Sequence, residues 1–123
     1  MDQDIDQVLA RQLELNRGTW AALIDRGVDE ETMLSLDFLF NSPGEIEAQS
    51  LVEFLQRETD YEISIQSVKK GRLSRRTWAV VGKTNPTAVS LDILDQWVGW
   101  MVAAGSAASC QFDGWGTAVP GRS

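Results

Sequence analysis

The chain has 123 residues and a mass of 13.6 kDa, with 43% apolar and 24% charged residues, the size and composition of a single folded domain, 1–123, with one core. A formal net charge of −7 and a pI near 4.4 disfavour direct nucleic-acid binding and favour basic partners. With no histidine and one cysteine, Cys110, the sequence excludes Ser-His-Asp and Cys-His catalysis, histidine- or cysteine-rich metal sites and any internal disulfide.

The lone cysteine fits a reducing cytosol, so a cytoplasmic location is expected. No apolar stretch approaches the ~18 residues of a membrane span. The acidic start, with Asp2, Asp4 and Asp6, argues against a secretory signal. That Asp-x-Asp-x-Asp run lacks the glycine and glutamate of a calcium loop, since Gln7 and Leu13 stand there. Nothing in the pattern implies a cofactor. The charge is uneven: residues 1–62 hold 15 acids against 4 bases, and residues 63–123 hold 3 against 7.

In chain order, residues 4–26 read as an amphipathic helix, with Ile5, Leu9, Leu13, Trp20, Leu23 and Ile24 on one side, Asn16 interrupting the stripe and Gly27 as C-terminal cap. An acidic link, Asp29-Glu30-Glu31, leads into a strand over 32–40 with Leu34, Leu36, Phe38 and Phe40 on its buried face. Ser42-Pro43-Gly44-Glu45 matches a capping box that starts a helix reaching Glu58, with Ala48, Leu51, Val52 and Leu55 inward. Tyr61, Ile63 and Ile65 mark a second strand, and 77–83 a third. The loop between them carries Lys69, Lys70, Arg72, Arg75 and Arg76. Thr84-Asn85-Pro86 breaks the pattern. A helix over 90–104 is expected to stop at Gly105, followed by a short strand over 108–112 that contains a buried Cys110, and a turn at Asp113-Gly114-Trp115-Gly116.

The order is a helix (1–27) followed by β-α-β-β-α-β (32–117). This is the split βαβ pattern of a ferredoxin-like α+β sandwich, an antiparallel sheet with both helices on one face. The last helix shows two apolar stripes. Leu91, Leu94, Val98, Met101 and Val102 form a core stripe, and Ile93, Trp97, Trp100 and Ala104 form a second on roughly the opposite side. The second needs a cover: either the N-terminal helix with Trp20, or a protein partner or second copy of the chain.

Phe112-Asp113-Gly114-Trp115-Gly116-Thr117 resembles the C-terminal signature of the regulator of ribonuclease activity B family, the small bacterial protein inhibitors of ribonuclease E. The element order is also similar to that family's, with an acidic first helix ending at Gly27, a strand ending at Phe40 and a helix opened by Ser42. The resemblance implies a non-enzymatic cytoplasmic regulator of RNA processing that docks on the non-catalytic region of ribonuclease E. The chain departs from the pattern in its basic hairpin, which leaves open an immunity-type inhibitor or another interaction module with a different partner. The candidate partner-binding residues are Asp29, Glu30 and Glu31 in the acidic link, Trp97 and Trp100 on the second stripe, and Asp113 and Trp115 in the signature. The glycines beside Trp115 allow a second reading of it, as an indole folded back onto the core. The basic hairpin lacks the stacking aromatics of an RNA-recognition strand and reads as a solvated tip. Glu45, Glu47, Glu53 and Glu58 read as a solvated helix face.

Overall fold

The computed structural model describes residues 5–69 and 76–118. Asp2, Asp4 and the basic loop positions Lys70, Arg72 and Arg75 lie outside them. The elements are α1 (Ile5–Asp25), β1 (Met33–Leu34), β2 (Leu36–Ser42), α2 (Glu45–Glu58), β3 (Glu62–Lys69), β4 (Arg76–Lys83), β5 (Thr87–Ala88), α3 (Leu91–Ala107) and β6 (Gln111–Thr117). This is a mixed α+β fold with three helices and two antiparallel sheets. The larger sheet has strand order β3-β4-β2-β6, and β1 pairs with β5 in a two-residue ribbon that sequence alternation did not separate from β2.

One sheet face is apolar because alternate residues point the same way. Phe38, Phe40, Val80 and Phe112 pack there with Ala48, Leu51 and Leu55 of α2 and Val98 and Met101 of α3. On the other face Asp37 and Asn41 are exposed and Leu39 half-buried. A second cluster closes one end of the domain, where Trp20, Leu23 and Val28 meet Leu34, Leu36, Val89 and Leu94. Among the described residues no helix is long and apolar enough to cross a membrane.

Four expectations are corrected. The buried stripe of α1 is Val8, Gln12, Asn16, Trp20 and Leu23, while Ile5 and Ile24 are exposed. Of its two polar members, Asn16 has partners in two other elements. Ser42 does not cap α2: β2 extends through it to pair with Trp78, Gly44 takes the N-cap position with no side-chain cap, and the Ser42 hydroxyl donates to the Gly44 carbonyl at 2.7 Å. Gly105 does not end α3. The helix runs to Ala107, and a Cβ on Gly105 would stand 2.8 Å from the Phe40 ring and 3.0 Å from the Cys110 carbonyl, so glycine serves close packing there.

The fourth correction concerns Asp113-Gly114-Trp115-Gly116, which lies inside β6 rather than in a turn. Phe40 pairs with Phe112 and Leu39 with Gly114, which makes Asp113 the extra residue of a β-bulge, with Gly114 at φ +141°. In a regular strand two residues three apart face opposite ways. The bulge returns Trp115 to the face of Phe112, opposite Phe38. Cys110 precedes this strand and is buried, and burial pushes its thiol up from the ordinary value.

Candidate protein-binding face

α3 carries the aromatic residues singled out in the sequence, and its surroundings divide them. It packs closely along α1, as the approach of Leu9 to Gly99 illustrates, whereas α2 reaches it through long aromatic side chains. The second stripe is accordingly split. Trp97 turns to the sheet, edge-on to Phe38, Phe112 and Trp115 at centroid distances of 6.3, 6.2 and 6.3 Å. Ala104 is also buried, while Ile93 and Trp100 remain 49% and 39% exposed. Trp20 belongs to the cluster at the end of the domain, so the sheet aromatics cover the inner edge of the stripe rather than α1 alone.

Trp100 stacks on Phe54 of α2 at 5.7 Å with planes 26° apart, and the Arg57 guanidinium lies 5.6 Å from the Phe54 centroid. One turn earlier on α3, the Trp97 Nε1–H donates to the Tyr61 hydroxyl at 3.0 Å. Trp100, Trp97 and Ile93 thus follow one helix face at spacings of three and four, with Phe54 and Tyr61 opposite them.

At the Ile93 end the face opens into a cleft of about 360 Å³. Three local devices build it. Thr59 ends α2, its hydroxyl donating to the Leu55 carbonyl and accepting the Tyr61 N–H, which turns Asp60 and Tyr61 toward the cleft. Thr84, buried, continues the β2–β4 pairing past Lys83: its N–H donates to the Leu36 carbonyl at 2.9 Å and its hydroxyl accepts the Leu36 N–H at 3.0 Å. That anchors Asn85, whose Nδ2 donates to Asp60 Oδ2 at 2.8 Å. Ser90 caps α3 by accepting the Ile93 N–H, which fixes Ile93 on the rim.

The remaining candidates lie elsewhere. Asp29, Glu30 and Glu31 are exposed in the link from α1 to β1. Asp29 organises that link: its Oδ1 accepts the Glu31 N–H at 2.9 Å and the Thr32 hydroxyl at 3.1 Å. The Glu31 N–H, and after it the Thr32 hydroxyl, hold the carboxyl of Asp29 below the ordinary carboxylate value. Asp113 is exposed on the bulge. Trp115 is half-buried and its Nε1–H donates to Asn16 Oδ1 at 2.8 Å, while Asn16 Nδ2 donates to Asp95 Oδ1 at 2.9 Å. The structure therefore brings Trp97 and Trp115 together beneath the face, leaves Trp100 on it, keeps Asp113 apart, and joins the acidic link to the Ile93 end through the Met33–Ala88 pairing. Asp60, Tyr61, Asn85 and Phe54 escaped sequence reading as site residues. Turn chemistry at Thr59-Asp60 and Asn85-Pro86 signalled Asp60 and Asn85, and nothing in the sequence signalled Phe54 or Tyr61 as site residues.

No family model matches the chain, and no curated protein matches it closely enough to place it in a family.

Proposed function

We propose that the protein is a non-enzymatic, protein-binding regulator of the ribonuclease E inhibitor type, docking on the non-catalytic region of that enzyme through the α2–α3 face. The observation that carries this reading is Trp100, a large aromatic side chain more than a third exposed and held in place by its stack on Phe54. Tryptophan is the residue most often found at energetic centres of protein interfaces, and a pre-stacked ring gives up little rotamer freedom on binding. The finer fold reading is a ferredoxin-like sandwich with an added N-terminal helix. The strand order β3-β4-β2-β6, the antiparallel pairing and the shared core of α2 and α3 support it. The net charge of −7 supports a basic docking segment, and the lone Cys110 supports a reducing cytoplasm as the site of action.

The test is calorimetric titration of the full chain against the non-catalytic half of its host's ribonuclease E at two salt concentrations, repeated with Trp100→Ala. Binding that weakens with salt and falls by roughly tenfold or more in the variant is expected, in keeping with truncation of an interface tryptophan. Absence of binding at both salts would remove ribonuclease E as partner, and undiminished binding by the variant would remove this face.

A further inference from the structure

The cleft at the Ile93 end of the face has a chemistry of its own. Tyr61 and Trp97 supply aromatic surface, Ile93 and Pro86 supply apolar walls, and among the described residues the sole charged side chain lining it is the Asp60 carboxylate. One of its oxygens, Oδ2, accepts from Asn85. Aromatic rings beside a carboxylate form a site for a cation that carries an apolar stem. A planar guanidinium suits it better than an ammonium, because it stacks on rings and offers several donors in a fixed plane.

Its surroundings identify the source of that cation. Met33 pairs with Ala88, which lies between the lining residues Thr87 and Val89, so the exposed Asp29-Glu30-Glu31 link enters the fold next to the cleft. Glu62 and Asp92 flank the same end in sequence and are exposed. The nearby cations already have partners, Arg57 with Glu58 at 3.4 Å and Lys83 with Asp37 at 3.9 Å. An acidic border wider than the cleft matches a basic peptide segment rather than a small free cation.

We propose that this cleft receives an arginine side chain of a basic segment of the protein partner, its guanidinium against Tyr61 and Trp97 and hydrogen-bonded to Asp60. The proposal rests on the protein-binding reading of the α2–α3 face and names what one end of that face recognises.

The probe is a short lysine-rich peptide with a single central arginine, compared with the same peptide carrying neutral citrulline there, titrated into the ¹⁵N-labelled full chain. The expected result is a shift of the Trp97 indole N–H resonance with the arginine peptide and affinity at least fivefold lower for citrulline. Asp60→Asn, which keeps an acceptor for Asn85, should lower arginine-peptide affinity at least fivefold. Glu14→Gln, which removes the same charge from an exposed position on α1, should change it less than twofold. Equal affinity for both peptides, equal effects of the two variants, no binding, or shifts confined to residues outside the cleft would each overturn the proposal. If Trp100→Ala impairs partner binding while citrulline matches arginine, the cleft assignment fails and the face stands. If Trp100→Ala is neutral and the arginine preference holds, the reverse follows.

Discussion

Asn16→Ala tests how the first helix is held to the body of the domain. Asn16 is 1% exposed and joins three elements, accepting from Trp115 Nε1 at 2.8 Å on β6 and donating to Asp95 Oδ1 at 2.9 Å on α3. The bond to the indole is neutral and contributes about 1 kcal/mol, and the bond to the carboxylate contributes about 1.5–3 kcal/mol. Asp95 is only half-buried, which favours the lower end of that range. Removing both bonds should therefore cost about 3 kcal/mol, a substantial share of the ~5–15 kcal/mol that holds a small domain together. In urea, with a slope near ~1.5 kcal/mol/M, the midpoint should fall by about 2 M with the slope unchanged. A cycle with Trp115→Phe, which removes the indole N–H and keeps an aromatic ring, should return a coupling of about 1 kcal/mol. Unfolding followed by circular dichroism serves best, since Trp115 itself contributes to fluorescence. A loss below ~0.5 kcal/mol for Asn16→Ala, or no coupling, would refute the hub and leave α1 held by its apolar residues alone.

Gly105→Ala should destabilise by about 1–3 kcal/mol through overpacking, because the added methyl meets the Phe40 ring at 2.8 Å and the Cys110 carbonyl at 3.0 Å; the thermal midpoint checks it. Gly114→Ala should cost about 1–3 kcal/mol for a different reason, since space is open around it but φ is +141°. An accompanying upfield change at the Trp115 indole N–H, from a weakened bond to Asn16, would show that the bulge sets that ring. Asp29 should titrate below 3.8 in the folded protein, because its charged form accepts the Glu31 N–H and the Thr32 hydroxyl. A depressed folded value means that its contribution to stability is present above the unfolded carboxylate range and is lost as pH falls through the folded value. Carbon-detected titration of the Asp29 carboxyl in wild type and Thr32→Val, where the midpoint should rise, checks both statements.

Local pattern carried most of the element assignment. Alternation in Leu36–Phe40 and the Ile63/Ile65 pair located β2 and β3, and the Leu94–Val102 periodicity located the buried side of α3. What escaped was set by partners distant in sequence. The buried side of α1 could not be read from hydrophobicity because Asn16 belongs to it, and the groups that satisfy Asn16 lie 79 and 99 residues away. Gly105 has the sequence signature of a helix stop. Whether such a glycine ends a helix or admits a ring depends on Phe40, in another element. The same limit hid the cleft, which joins the turn after α2, the segment after β4 and the first half of α3. Two of its residues, Asp60 and Asn85, are ordinary turn formers until their 2.8 Å hydrogen bond brings them together.

The position of α3 explains why an aromatic face exists on a domain this small. A helix that packs on a sheet and also along a neighbouring helix needs apolar residues over more than one stripe, and α3 supplies Leu94, Val98, Met101 and Val102 to the buried core. Its close contact is with α1, so the side toward α2 is bridged by rings: Trp100 on Phe54, and Trp97 to Tyr61. Rings that span a gap are held at their inner edges and presented at their outer ones. Trp97, half-buried against Phe38 and Phe112, fixes the floor, and Trp100 and Ile93 are exposed beside it. Rings held by a stack and a hydrogen bond lose little rotamer freedom on docking, so under the proposed function a segment that ordered on them would bear most of the conformational entropy. The heat capacity of binding separates the cases. A rigid face engaging a pre-folded partner gives a change proportional to the apolar area covered, and an ordering basic segment gives a larger one with a strongly unfavourable entropy.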